Sequence, residues 1–510
     1  VLQAAIVLLV CLAVYWIGLG RSGLAYTEGH RAIPGWELLS RESSPRNLLV
    51  PTLFEQPYLR KPPLMPWAVA LASSVLGPTE FAARSVSALA ITFGSLVSWW
   101  FARRWFGPRW ALHAGLAHAL TPLFWQTGRA AEIEALHNLF IQLAVLGAID
   151  LFVRRHDRLA PRLARVAGVV LVTLAAAWTK GPAGAPVLAA AALAIAAVTR
   201  PRALVPALLL FAIPAGVAAQ LWAATLDLAR RSGPPPLTQG VGEFLWSADR
   251  IGQVLALPLV SWASALPLSA ALLFPFGPDA RREADADDRR RHLALARALA
   301  LTTLLALLAY AALGVSNPRY AMPAFAPAAP LVAWVLAGRD GFFVPSRRRI
   351  ASIILLGRPA HLLALLLLAA GVYLPLYERS RARNSGREAG FSVGVLLPPG
   401  ATLHADALID ARPEILWYAR RANPALAIRW TPSWNPPPVD RVALLRTGGR
   451  DELPLVYPDP SRAPAPLGTW RVAGYTFEVR PALPETERGF PSSRDEREPR
   501  SRAWDGRATP

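Results

Sequence analysis

A chain of 510 residues that is 53% hydrophobic and carries a formal charge of +20 is too apolar for an ordinary soluble protein, and long enough for many membrane spans plus a separate domain. Its arginines sit in short clusters between apolar runs, with no basic surface interleaved with aromatics and no nucleic-acid motif, which excludes nucleic acid as a partner and points to membrane orientation. The single cysteine, Cys11, lies inside the first apolar run, so disulfides and cysteine zinc sites are excluded.

In chain order, Val1 to Gly18 lacks a small-residue cleavage site and reads as a retained first span, near Leu2 to Leu19. A polar loop over residues 20–80 follows. It carries Thr27-Glu28-Gly29-His30-Arg31 and ends in Tyr58-Leu59-Arg60-Lys61-Pro62-Pro63-Leu64-Met65-Pro66-Trp67. An isolated acid just past a span, with a lysine beside paired prolines some thirty residues later, suggests a base and a phosphate-binding cation on one membrane face. The plainer reading is a solvated loop whose charges do nothing. Leu64 to Leu76 falls short of the ~17 residues a crossing helix needs and reads as a helix lying on the membrane.

Further spans are expected at Phe81–Phe101, Trp110–Trp125, Ala135–Val153, Val166–Trp178, Ala183–Val198 and Leu204–Leu226, then at Ile251–Phe276, Leu293–Val315, Met322–Ala337 and His361–Leu376. The expected architecture is thus a multi-pass α-helical membrane protein with about eleven transmembrane helices. Arginine clusters at 103–109, 154–165, 200–202, 281–291 and 347–349 fall on every second connection, which makes those loops cytoplasmic and the alternate ones external. The external connections then collect Glu28, Lys61, Glu132, Glu134, Lys180 and Arg319. Each alone fits a helix-end or snorkelling charge. Together, mixed acids and cations at one face suggest a site at the outer membrane surface. The stretch Pro278 to His292 reads as a solvated connection without chemistry.

After Leu376 the composition changes. Phe391–Leu397, Thr402–Ile409, Leu426–Trp430, Arg441–Arg446 and Thr469–Arg480 have strand-like patterns, and Pro413–Ala422 reads as a helix opened by proline. The expected division is a membrane domain over 1–377, a small extracytoplasmic α+β domain over 378–483, and a disordered tail over 484–510.

Several motifs stand in a meaningful order. Lys61-Pro62-Pro63-Leu64 with Trp67 resembles the K-P-P-L-x-x-W signature of the C-type membrane glycosyltransferases, in the branch of aminoarabinose transferases and protein O-mannosyltransferases, glycosyltransferase family 39. Phe81 with Arg84, the run Arg129 to Glu134, Thr179-Lys180-Gly181-Pro182 and Arg319-Tyr320 to Pro323 are similar to later motifs of that family. Thr27 stands where the family usually has its first-loop Asp, beside Glu28, and Glu134 replaces an Asp. The resemblance spans roughly Val1 to Leu376.

The resemblance implies the C-type glycosyltransferase fold in the cytoplasmic (inner) membrane. It implies transfer of a sugar, with inversion, from a polyprenyl-phosphate donor to a lipid, glycan or protein acceptor on the outer face. Glu28 is expected as catalytic base, and Glu134 as a second catalytic acid that positions the sugar or acceptor or holds the base. Lys61 and Arg319 are expected to bind the donor phosphate. His30, Arg84, Arg129, Lys180 and Tyr320 are expected in support, with Lys180 equally readable as a structural cap and His30 as an ordinary loop histidine. Membrane lipids are expected partners. No particular cofactor is implied, and room is left for a divalent metal ion. The alternatives are a lipid-linked-sugar transporter or flippase, and a catalytically degenerate scaffold.

Overall fold

The computed structural model describes residues 1–154, 158–231, 251–276, 287–315, 317–338, 359–406, 412–431, 442–447, 465–472 and 475–481. The described residues form two compact units, one of residues up to Arg383 and the second beginning at Asn384. The disordered tail expected over 484–510 lies outside the described residues, as do Arg281, Arg282 and Arg347 to Arg349.

The first unit is helical, as long apolar runs without backbone partners of their own require in lipid. Its helices are α1 (Leu2–Trp16, closing in a π turn), α2 (Gly29–Ser40), α3 (Pro45–Leu49), α4 (Leu64–Leu76), α5 (Glu80–Phe106), α6 (Pro108–Ala119), α7 (Pro122–Arg129) and α8 (Ile133–Val153). They continue with α9 (Leu159–Lys180), α10 (Ala185–Val198), α11 (Leu204–Arg231), α12 (Ile251–Ser264), α13 (Leu268–Ala271), α14 (Asp287–Ala312), α15 (Pro318–Ala337) and α16 (Ala360–Asn384). Local chemistry sets the boundaries. Thr79 caps α5 by accepting from the Ala82 N–H at 3.2 Å, Gly107 ends it at φ +85°, and Pro108 opens α6 at the position where a missing N–H costs nothing.

Among the described residues seven helices are long and apolar enough to cross a membrane, or eight if the pair Leu255–Ser264 and Leu268–Phe276, bent by 98°, is one span. That is fewer than the eleven expected. The segment predicted over Trp110–Trp125 is broken at Leu120–Thr121 into α6 and α7, and Leu2–Trp16 is short. The two segments predicted over Val166–Trp178 and Ala183–Val198 form one helical run interrupted by a 3-10 turn at Gly181–Gly184. Gly181 sits at φ +63° there, a conformation open to glycine and strained for other residues.

The short segments still run from one end of the unit to the other. The Gln3 amide donates to the Pro108 carbonyl at 2.9 Å at one end, while Arg129 donates to the Val14 carbonyl at 2.8 Å at the other. The first of these ends is rich in arginine: Asp150 of α8 accepts from the Trp105 indole of α5 at 2.9 Å and lies 3.4 Å from Arg165 of α9 and 3.8 Å from Arg104. The second end holds the first loop and the starts of α5 and α8.

Among the described residues the first unit also holds a short hairpin, β1 (Thr52–Leu53) with β2 (Gln56–Pro57), and the second unit is a five-stranded sheet with two helices. β3 (Thr402–Asp406) pairs in parallel with β4 (Ala427–Thr431) and β5 (Val442–Thr447), and β7 (Tyr475–Pro481) runs antiparallel to β5 and β6 (Gly468–Val472). The order is β4-β3-β5-β7-β6. Here one expectation is corrected: Phe391–Leu397 is not a strand but part of α17 (Arg387–Leu396), packed on α18 (Pro413–Ala422). Gly386, Gly390 and Gly394 recur every four residues, so one helix face is bare; a Cβ on Gly390 would lie 2.5 Å from the Ile415 carbonyl. That spacing of four outweighs the apparent alternation.

Candidate active site

The first loop enters through a 3-10 turn at Tyr26–Glu28 that leads into α2. Glu28 is 1% exposed. One of its oxygens accepts from Arg84 Nε at 2.9 Å and the Ala131 N–H at 2.8 Å; the other accepts from Arg84 Nη2 at 3.0 Å, the Ala25 N–H at 2.9 Å and Arg381 Nη2 of α16. Five donors occupy the roughly four lone-pair sites of a carboxylate, so no acceptor capacity is left. Burial would raise the Glu28 pKa, but Arg381 and Arg84 outweigh it and hold the carboxyl at about 2.

Arg84 also donates to the carbonyls of Leu19, Ser22 and Gly23 at 2.7–2.8 Å, tying the loop's first residues to α5. Arg129 does the same for the end of α1, donating to Val14 and Ile17 carbonyls and pairing with Glu378 of α16 at 2.8 Å. Glu28, Arg84 and Arg129, expected near the chemistry, are therefore joined in a buried lattice with Glu378 and Arg381.

A second group lies where the starts of α8 and α15 meet the end of α9. Glu132 occupies the N-cap position of α8, its backbone fixed by Ser87, whose hydroxyl donates to the Glu132 carbonyl at 3.0 Å and accepts from its N–H at 3.1 Å. Its Oε1 accepts from the Thr27 hydroxyl at 2.7 Å and lies 3.6 Å from Arg319. Glu134, in the first turn of α8 where the helix dipole favours an anion, pairs with Lys180 at 3.1 Å and lies 3.7 Å from Arg319 Nε. The Oε2 atoms of both glutamates are buried and have no hydrogen-bond partner among the described residues.

Tyr320 backs this group, its ring 4.2 Å from the Lys180 ammonium and its hydroxyl accepting from Arg319 at 3.3 Å. Arg31 of α2 donates to the Tyr58 hydroxyl at 3.2 Å, and Tyr58 stacks on His30 with ring centroids 5.7 Å apart. Burial works against the Arg31 charge, but Tyr58, Glu132 and Glu134 raise its pKa above the ordinary arginine value. Burial and the neighbouring Glu134 carboxylate push Glu132 up to about 7, against the opposing pull of Arg319, Arg31 and the Thr27 hydroxyl.

Lys61 is half-buried in the turn between the short hairpin at Thr52–Pro57 and α4. Beside α4 opens an apolar groove of about 520 Å³ between α3, α4, α9 and α11, lined by Leu64, Trp67, Leu171, Trp178, Ala224 and neighbouring apolar residues. Trp178 lies in this wall two residues before Lys180, so the groove reaches the same end of α9 as the polar cluster.

The structure thus brings Glu134, Lys180, Arg319 and Tyr320 together, from three separate motifs. It adds residues the motifs did not single out: Glu132, Thr27 as its partner, Arg31, and the α16 pair Glu378 and Arg381. Glu132 lies inside the Arg129 to Glu134 run but off the acidic position that run makes conspicuous. The α16 pair carries no local signal, being ordinary charges at the end of an apolar helix. Among the described residues no three His, Cys, Asp or Glu side chains converge on one point, and Glu132 and Glu134 already face Arg31, Lys180 and Arg319. That donor set does not fit a divalent cation.

A family model described as dolichyl-phosphate-mannose-protein mannosyltransferase matches residues 60–202, a stretch that includes Lys61, Arg84, Arg129, Glu134 and Lys180. No curated protein matches the chain in sequence. Among solved structures, ArnT from Cupriavidus metallidurans in the apo state is similar with a TM-score of 0.61 at 17% identity, over 94% of this chain and 97% of that one. The same protein bound to undecaprenyl phosphate gives 0.60 at 18% identity, with the same coverage. At such identities the likeness speaks for the fold, and the family model speaks for the sequence of the first loop's end through α10. The fold is thus that of the C-type membrane glycosyltransferase ArnT, and residues 60–202 are similar in sequence to the mannosyltransferase family model.

Proposed function

We propose that this chain is an inverting glycosyltransferase that moves a sugar from a polyprenyl-phosphate donor to an acceptor on the outer face of the cytoplasmic membrane. The carrying observation is that a two-acid cluster faced by Lys180, Arg319 and Arg31 lies at the same end of α9 as an apolar groove. A donor of this class has those two halves, a hydrocarbon tail and an anionic phosphate. The tail fits the groove between α4, α9 and α11. The phosphate fits Arg319, with Lys180 and Lys61 nearest in sequence to the groove walls at Trp178 and Leu64.

The chemistry follows from charge. As the anomeric carbon is attacked from the face opposite the phosphate, the carbon–oxygen bond to phosphate breaks and the leaving group gains negative charge. Cations fixed at that point lower the barrier because their attraction grows along the reaction. Glu134, held by Lys180 and Arg319, suits hydrogen bonding to sugar or acceptor hydroxyls. The positive-inside rule places the arginine-rich Asp150 end in the cytoplasm and the cluster outside. A flippase would carry its ionisable groups near the midplane between repeats, whereas here they lie at one end of the helices.

Purified protein in nanodiscs tests this directly. It should bind undecaprenyl phosphate by native mass spectrometry and release or transfer labelled sugar from an undecaprenyl-phosphate hexose or pentose. Binding without any sugar release or transfer, across a panel of such donors and outer-membrane-facing acceptors, contradicts the transferase and favours a transporter or scaffold.

A further inference from the structure

We infer that Glu132 is the catalytic base of this transfer and Thr27 its positioning residue, the acid having no counterpart at position 27 of the first loop. The inference rests on the transferase reading above and on three features of the acids at this end of the molecule.

First, Glu28, the only acid on the entering turn, is saturated by five donors and locked between two buried guanidinium groups. A proton acceptor needs a free lone pair within reach of the acceptor's hydroxyl, and Glu28 has none. Second, Glu134 is held at 3.1 Å by the Lys180 ammonium, a contact that lowers its basicity. Among the described residues Glu132 has no cation that close. Its carboxylate's one hydrogen bond there comes from the neutral Thr27 hydroxyl at 2.7 Å, and Arg319 stands off at 3.6 Å.

Third, Glu132 is 7% exposed, and its Oε2 is buried without a partner. A buried acceptor left unmade costs about 1–3 kcal/mol, and a substrate hydroxyl is a donor that would satisfy it. Thr27 holds Oε1 and leaves Oε2 as the unpaired oxygen. Arg319, 31% exposed on its side chain, is the neighbour open to a ligand: when it pairs with the donor phosphate, its pull on Glu132 falls and the carboxylate becomes more basic. Donor binding thereby arms the base.

The step balances as follows. The acceptor hydroxyl gives its proton to Glu132 Oε2 while its oxygen bonds to the anomeric carbon. The bond from that carbon to the phosphate oxygen breaks, and the electron pair leaves with polyprenyl phosphate. Glu132 then loses the proton to water. With Oε2 unpaired and the pKa near 7, the group is matched to proton transfer near neutral pH.

The test uses full-length protein in nanodiscs and the undecaprenyl-phosphate sugar that wild type consumes fastest, with hydrolysis and transfer both followed. Glu132→Gln should lose about 10²–10⁴-fold in kcat while undecaprenyl phosphate binding stays within twofold or so. In wild type, kcat/KM should rise with pH through an acid limb near 7. The groups that set this limb are Glu134 on the same helix, Arg319 from α15, Arg31 from α2 and the Thr27 hydroxyl. Thr27→Val removes a hydrogen bond to the charged form, so the limb should move to higher pH, and Thr27→Ser should return it.

Transfer by Glu132→Gln within tenfold of wild type overturns the base assignment and leaves the transferase standing. If Glu132→Gln also loses donor binding, the wild-type profile decides, and one that is flat from about pH 5 to 9 overturns the assignment. A wild type that binds undecaprenyl phosphate yet consumes no donor overturns the transferase reading itself.

Discussion

Replacing Glu28 by glutamine removes the carboxylate that pairs with both Arg84 and Arg381 while keeping nearly the same shape. Arg84 is 1% and Arg381 3% exposed, so neither charge can be handed to water. Breaking a buried pair from one side costs about 3–5 kcal/mol, because the partner's charge is left uncompensated. At ~2.1 cal/mol/K per residue over the roughly 380 residues of the first unit, about 4 kcal/mol corresponds to a fall of about 5 °C in Tm. Cys11, the only cysteine and wholly buried on α1, offers the assay: a thiol-reactive fluorophore reports its exposure on heating. The cost should shrink in the double variant Glu28→Gln with Arg381→Met, since one stranded charge is gone. The pH dependence has a defined sign. Glu28 ionises at about 2 in the folded protein against 4.5 ordinarily, so its stabilisation is complete above pH 4.5 and is lost as pH falls from there toward 2. That acid-dependent loss should be absent in Glu28→Gln. A melting temperature within 1 °C of wild type, at neutral pH and with no non-additivity, would refute the view of Glu28 as an anchor.

Arg319→Gln and Lys61→Ala should each weaken undecaprenyl phosphate binding by about 10- to 150-fold, the loss of one charge-assisted partner of ~1.5–3 kcal/mol, with Lys61→Arg intermediate; unchanged affinity in titrations removes that residue from the phosphate site. Ala224→Trp, which fills the groove beside Trp67 and Trp178, should raise KM for an undecaprenyl donor at least about tenfold and spare a two-isoprene donor, because only the long tail needs the full groove. Equal effects on both donors would move the tail elsewhere. Topology reporters placed after Lys180 and at Gly400 should both read as external, given the arginines on the opposite connections. Cytoplasmic signal at both would reverse the orientation and the site with it.

Much of the membrane architecture is local information. An apolar run must be a helix in lipid, whatever its neighbours, because its backbone has no other partner; the segments at α5, α8, α9 and α14 are therefore visible from composition alone. Arginine spacing marks the two ends for a similar reason, since charge and membrane depth are coupled residue by residue. The motifs at Lys61, Arg129–Glu134, Lys180 and Arg319 likewise mark the end at which charge gathers. What composition does not carry is which charge meets which. Fewer of the described helices than expected are each long and apolar enough to cross, because a helix can break at Leu120–Thr121 or turn at Gly181 without losing its apolar character. The strand pattern at Phe391–Leu397 yielded to helix because three glycines spaced by four only acquire meaning once α18 lies against them. In the same way Glu28, conspicuous in sequence, is spent on Arg84 and on an arginine 353 residues away, while inconspicuous Glu132 keeps an unpaired oxygen. Ion pairing is a property of distances in three dimensions, and tertiary contact alone decided that of three nearby glutamates Glu28 has both oxygens saturated while Glu132 and Glu134 each keep one unpaired.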